Sequence, residues 1–169
     1  MSARVLGIAC AAAAFALDQG TKALALNSPG LAGGVEVLPV MNLVLVRNDG
    51  VSFGMLGGLV PWWALVLLAA AIVGVLLIWL WRTPLRLTGA GLGLVIGGAL
   101  GNILDRVRYQ AVTDFLDFYL GAYHWPAFNL ADVAVVCGTL LLLADGMRKD
   151  TRKQAGGGPD PAGSQGSEA

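Results

Sequence analysis

The chain has 169 residues, enough for one compact domain, and 56% of them are hydrophobic against 13% charged. An average soluble domain carries roughly 25% charged residues, so the deficit points to lipid rather than water as the surrounding medium. Formal net charge is zero, which leaves no basic surplus for nucleic acid, and one histidine, His124, cannot build a multi-histidine metal site without other ligands.

Four apolar stretches fall in chain order, each near the ~20 residues a membrane-spanning helix needs. The first covers residues 5–26 and carries Asp18 and Lys22 in its second half. These two lie four apart on one helical face, acid first, which suits an ion pair. A rival reading takes Arg4 and Val5–Leu17 as a signal peptide with Ala14-Phe15-Ala16 as the cleavage site. Apolar character resumes past Lys22 to Leu26, which favours an uncleaved span. The second stretch, 60–81, holds no charge. The third, 87–104, is glycine-rich and ends on Asn102 and Asp105. The fourth, 129–144, opens with a polar turn. Cys10 and Cys137 lie inside apolar runs without C-x-x-C spacing and read as small buried hydrophobes.

Between the spans, Val35–Val46 is β-branched and apolar and predicts short strands. The expected fold is therefore an all-α membrane protein of four transmembrane helices. A small extracytoplasmic β element and a short amphipathic loop segment complete it. Residues 1–149 form the membrane domain. The tail, 150–169, turns to Gly, Pro, Ser and acid and reads as disordered and cytoplasmic.

Short-loop basic residues orient the spans. Arg4, Arg82, Arg86 and the Arg148–Lys153 cluster fall on one side of a four-span chain, which makes that side cytoplasmic and places both termini there. Arg47 and the Arg106–Arg108 pair fall on the other side and need a separate reason. The same threading brings Asp18, Lys22, Asn48, Asn102, Asp105, Arg106, Asp114, Asn129 and Asp132 to the outer membrane boundary. Charged groups in a span cost ~2.5–3.5 kcal/mol each on insertion scales. Snorkelling explains one of them, such as Lys22, but not acids and amides recurring on several elements. A site at the outer boundary explains the gathering.

Carboxylates and amides without a metal cluster limit the chemistry. Two carboxylates held close cannot both ionise, so one keeps a proton while the other accepts one. Such a pair can activate water and protonate a leaving amine. Asp114, after Ala111-Val112-Thr113, and Asp132, one turn after Asn129, are the pair favoured here; Asp105, Asp117 and Asp18 compete. Asp105 beside Arg106 reads either as a fold-holding ion pair or as part of the site, and Arg106 as a substrate contact. Asn48, Asn102 and Asn129 can bind a peptide backbone or tie helices together. Gly97, Gly98 and Gly101 allow close helix approach. Trp62, Trp63 and Trp125 suit an interfacial belt. Gly50-Val51-Ser52-Phe53-Gly54 matches the serine-nucleophile pattern, but no α/β alternation surrounds it. A transporter would place polar groups at mid-membrane and on both sides, and an inert scaffold would make the acids dispensable.

Five blocks carry a resemblance. They are Asp18-Gln19-Gly20-Thr21-Lys22, Asn48-Asp49-Gly50-Val51-Ser52-Phe53, Gly97 through Arg106, Val112-Thr113-Asp114-Phe115, and Phe128-Asn129-Leu130-Ala131-Asp132. In order and spacing they resemble bacterial lipoprotein signal peptidase, signal peptidase II. The resemblance implies a four-span aspartic endopeptidase of the bacterial inner membrane; a monomer without metal or cofactor is expected. It would cut a prolipoprotein's signal peptide just before a cysteine already carrying diacylglycerol. It implies catalytic roles for Asp114 and Asp132. Asn48, Gly50, Asn102, Arg106 and Asn129 would line or support the substrate site, with Asp18, Lys22 and Asp105 in the shared blocks. Val51 and Ser52 depart from the family, which more often shows Ala or another small residue there.

Overall fold

The structure is a computed structural model and describes residues 1–50 and 60–156. Four long helices dominate it: α1 (Ala3–Leu26), α2 (Trp62–Arg82), α3 (Arg86–Tyr109) and α4 (Leu130–Gly156). Each is long and apolar enough to cross a membrane, α4 over Leu130–Met147. A 3-10 turn, Pro29–Gly33, and four strands lie between them: β1 (Val35–Leu38), β2 (Met41–Asn48), β3 (Val112–Leu120) and β4 (Tyr123–His124). The architecture is the four-helix membrane protein with a small β element that composition and hydropathy predict.

The helices start and stop for local reasons. Ser2 caps α1 by accepting from the Val5 N–H at 3.3 Å. Pro61 precedes α2, where a missing N–H costs nothing. Gln110 ends α3 in the left-handed region, φ 60°, and its N–H returns to the Arg106 carbonyl at 2.8 Å. That turn redirects the chain into β3 within two residues.

α3 is the central helix and packs against the other three. α2 is apolar all round and buries only Val73 and Leu80, as befits a helix bathed in lipid. Val73 and Leu80 meet Leu92 and Ile96 of α3 in one apolar cluster. α1 and α4 approach α3 along glycines. A methyl on Gly98 would strike the Ala131 carbonyl oxygen at the start of α4, and one on Gly101 would strike the Asp18 carboxylate of α1. Close approach of both helices at the level of Asp18 and Asp132 therefore requires glycine at these positions.

The strands form one antiparallel sheet in the order β1-β2-β3-β4 at the end of the bundle where α1 and α3 finish and α4 begins. β2 pairs with β3 from Met41↔Phe118 to Asn48↔Val112, with a bulge between Leu43 and Val46. A second apolar cluster, Ala25, Leu31 and Phe115, fastens the sheet to the helices beneath. The Val35–Val46 strands appear where expected, while β3 runs through a segment read as loop. Two facts separate it from an ordinary loop: Ala111–Phe115 are buried, and Asp114 sits opposite Val46 in the ladder.

Two expectations need correction. Helix α4 continues to Gly156, into the segment read as tail from 150, where residues 152–155 are Arg, Lys, Gln and Ala, all good helix formers; residues 157–169 lie outside the described residues. Cys10 is half-buried and Cys137 exposed, so neither is the buried hydrophobe expected. The Gly50–Gly54 serine pattern lies outside the described residues from Val51 onward.

Candidate active site

Asp132 opens α4. Its backbone N–H donates to Asn129 Oδ1 at 3.1 Å, and its Oδ2 accepts from the Asn129 N–H at 3.2 Å. This is a reciprocal capping box with asparagine and aspartate as the partners. It leaves Asp132 Oδ1 to accept from Asn102 Nδ2 of α3 at 3.0 Å. Both carboxyl oxygens thus receive an N–H, and the group sits at the positive end of the α4 dipole.

Asp114 is held differently. It is 2% exposed on β3. Asn48 Nδ2, from the neighbouring strand, donates to Oδ2 at 3.0 Å, and Asn129 Nδ2 donates to Oδ1 at 2.6 Å. Burial pushes its pKa up from the ordinary 3.8 to about 6; Asp132 adds to the rise, while the Asn48 and Asn129 hydrogen bonds and Lys22 oppose it. Asn129 touches both carboxylates, through its side-chain amide to Asp114 and its backbone N–H to Asp132.

Around this pair the structure gathers Asn48, Gly50, Asn102, Arg106, Asn129, Lys22, Asp18 and Asp105. Lys22 Nζ lies 2.9 Å from Asp18 Oδ2, 3.3 Å from Asp105 Oδ2 and 2.9 Å from Asn102 Oδ1. Asn102 Oδ1 also accepts from Asn129 Nδ2 at 3.2 Å. Arg106 donates through Nη2 to the Gly50 carbonyl at 3.0 Å, and Gly50 N–H returns to Asn48 Oδ1 at 3.1 Å. The suggested Asp105–Arg106 ion pair is not among those of the described residues: Asp105 faces Lys22 and Arg106 faces the cavity. Adjacent helix residues point about 100° apart, which lets them serve opposite sides.

Two basic residues on the sheet side of the bundle also find their reason. Arg106 points among the carboxylates. Arg47 donates to Thr113 Oγ1 at 2.9 Å, with its guanidinium 4.4 Å from the Tyr109 ring centre. Sequence reasoning gave Gln19 and Thr113 no individual part. Gln19 Nε2 lies 3.1 Å from Asp18 Oδ2 and 3.3 Å from Asp105 Oδ1, and Thr113 N–H donates to Asp105 Oδ2 at 2.9 Å. Asp117 and His124, given no role, form a pair at 2.9 Å on the sheet. That pair anchors the turn leading to Trp125–Phe128, one wall of the cavity.

The cavity has a volume of about 590 Å³. Its polar end is lined by Asn48, Asn102, Arg106, Asp114 and Asp132, and its apolar end by Ala69, Ala99, Val133, Val136 and Cys137. It therefore offers an apolar slot between α2, α3 and α4 that ends against two carboxylates. That shape suits a molecule with an apolar body and a polar group at one end.

Four helices able to span a membrane around a cavity that ends on two carboxylates define a membrane protein with a buried polar site, and comparison with known proteins makes this specific. Two solved structures, each described as a bacterial membrane enzyme obtained by the in meso method, superpose with TM-scores of 0.79 and 0.72 at 27% identity. The first match covers 91% of this chain and 94% of the other, the second 82% and 90%. The lipoprotein signal peptidase of Vibrio parahaemolyticus is 40% identical over 82% of this chain and 86% of its own. That of Aeromonas hydrophila is 43% identical over 83% and 87%. The profile of the family described as signal peptidase (SPase) II matches residues 10–148. The chain belongs to the signal peptidase II family of membrane proteases.

Proposed function

We propose that the protein removes the signal peptide from diacylglyceryl-modified prolipoproteins, cutting just before the lipidated cysteine, with Asp114 and Asp132 as the catalytic carboxylates. The observation that carries the reading is the unlike pair facing one cavity. Asp132 receives two N–H donors at a helix N-terminus, whereas Asp114 is buried with its pKa raised to about 6. A group with that pKa can hold and release a proton near neutral pH.

In this mechanism a water lies between the carboxylates. Asp132 takes its proton as the oxygen attacks the scissile carbonyl, and Asp114 gives a hydrogen bond and then a proton to the carbonyl oxygen. Collapse of the tetrahedral species breaks the C–N bond as Asp132 gives its proton to the leaving nitrogen, and a hydroxyl of that species returns a proton to Asp114, so the dyad regains its starting charge. Arg106, Asn48 and the amides of Asn102 and Asn129 hold the substrate backbone. The apolar end of the cavity takes the signal helix and the acyl chains, which enter laterally from the bilayer. The enzyme works in the bacterial inner membrane as a monomer with both termini in the cytoplasm. The basic residues Arg4, Arg82 and Arg86 support that orientation, and it puts the carboxylates near the outer face.

The test is to incubate purified protein with a diacylglyceryl-modified prolipoprotein and follow the size shift on a gel. Wild type is expected to cleave, and Asp114→Asn and Asp132→Asn are not. Full cleavage by either variant would refute the two-carboxylate mechanism, and loss only in Ser52→Ala would restore a serine nucleophile.

A further inference from the structure

The Lys22 ammonium is 2% exposed, lies outside the cavity lining and faces three acceptors on two helices. A simple i,i+4 helix pair would need only Asp18. Here the two carboxylates beside Lys22 each spend an oxygen on a backbone group of a different element. Asp18 Oδ1 accepts the Ala131 N–H at 3.0 Å, and Asp105 Oδ2 accepts the Thr113 N–H at 2.9 Å. Ala131 directly precedes Asp132, and Thr113 directly precedes Asp114. Ala131 also sits in the first turn of α4, where a peptide N–H has no partner inside its own helix.

We propose that Lys22 is a positioning residue for both active-site aspartates. Its single charge holds Asp18 and Asp105, and each of these fixes the peptide N–H immediately before one member of the pair. The third contact supports the same role. An ammonium can only donate, so Asn102 must present its oxygen to Lys22 and its NH2 to Asp132, as the distances of 2.9 and 3.0 Å show. Gln19 closes the arrangement by donating to both Asp18 and Asp105. Gly101 leaves the room that the Asp18 carboxylate occupies. This inference rests on the two-carboxylate reading of the site.

The experiment compares wild type, Lys22→Gln, Lys22→Met and Asp114→Asn in detergent, on a diacylglyceryl-modified peptide, with rates normalised to folded protein. For the Lys22 variants kcat is expected to fall on the order of 100-fold, the scale of a small misplacement of reacting groups, with KM within about threefold. The limb of the pH–rate profile set by Asp114 is also expected to move to higher pH, because Lys22 opposes the rise of its pKa. The charged groups that act on that carboxylate are Lys22 from α1, Arg106 from α3 and Asp132 from α4, with Asp18 and Asp105 standing behind them at Lys22. A lysine that merely holds the fold would lower the folded yield and leave kcat and the pH profile of the folded fraction unchanged. That result overturns the proposal while wild type stays active and Asp114→Asn inactive. An inactive wild type, or an active Asp114→Asn, overturns the two-carboxylate reading itself and this proposal with it. Should neither Lys22 variant fold, amide hydrogen exchange on the wild type decides. Ala131 and Thr113 are expected to be as protected as the interior of α3, and fast exchange at either one overturns the proposal.

Discussion

Replacing Asp114 with asparagine is expected to abolish cleavage and, at neutral pH, to stabilise the protein. The carboxyl is 2% exposed, and its pKa rises from 3.8 to about 6. A folded-state pKa above the unfolded one favours the protonated form. That stability is fully present below about pH 4 and is lost as pH rises through about 6. A shift of this size corresponds to about 3 kcal/mol at most. Asparagine carries no charge to desolvate and escapes the whole cost. It has only one acceptor oxygen, however, whereas Asn48 and Asn129 both donate to Asp114. One of those bonds is lost, at about 1 kcal/mol. The net gain above pH 6.5 is about 2 kcal/mol, or roughly 4–8 °C in Tm for a chain this size. Below about pH 4 the sign reverses and the variant is less stable by about 1 kcal/mol. Thermal unfolding in detergent from pH 4 to 8, beside the cleavage assay, checks both halves. A Tm difference that stays constant across the range, or a variant less stable at pH 7.5, would refute the argument that burial sets this carboxyl apart.

Three further substitutions probe the surroundings. Gly101→Ala places a methyl where the Asp18 carboxylate sits; it should cost about 3 kcal/mol by disturbing the buried Asp18–Lys22 pair, and an unchanged Tm would contradict it. Asn129→Ala removes the α4 cap and the amide between the two aspartates; about 1–2 kcal/mol of stability should go, with a drop in kcat of at least tenfold in a steady-state assay. Thr88→Val deletes the 2.6 Å hydrogen bond to Asp145 at the opposite end of the bundle. Stability should fall by about 1–3 kcal/mol with kcat per folded molecule unchanged, and a loss of kcat would show that the two ends are coupled.

Hydropathy alone reveals the four helices because each must bury or expose a continuous apolar length in lipid. The Val35–Val46 strands are legible for a similar reason, since β-branched residues concentrate there. β3 is not legible. Asp114 and Asp117 interrupt its apolar residues, and what makes it a strand is the ladder to β2, some seventy residues earlier in the chain. The polar residues are readable as a set because charged groups are costly in a membrane. Their pairing is less so. Asp105 next to Arg106 suggests a local ion pair, yet the partner is Lys22 on another helix. Gln19 and Thr113 stay hidden because one acts through an amide reaching across to α3 and the other through its backbone N–H. No side-chain pattern announces a backbone donor.

The arrangement also explains why amides, not cations, touch the buried carboxylate. A lysine or arginine in direct contact with Asp114 would favour its charged form and hold the pKa down. Asn48 and Asn129 orient the carboxyl and lower its pKa only in part, so that burial still holds it at about 6. Lys22 stands one residue back, behind Asn102, and spends its charge on Asp18 and Asp105. Asn129 then makes the two aspartates unlike. Its amide reaches Asp114 inside the protein, while its backbone N–H and cap oxygen bind Asp132 into the first turn of α4. In the proposed mechanism this unlikeness lets one carboxyl hold a proton and the other take one, the difference that acid–base cleavage of a peptide bond requires.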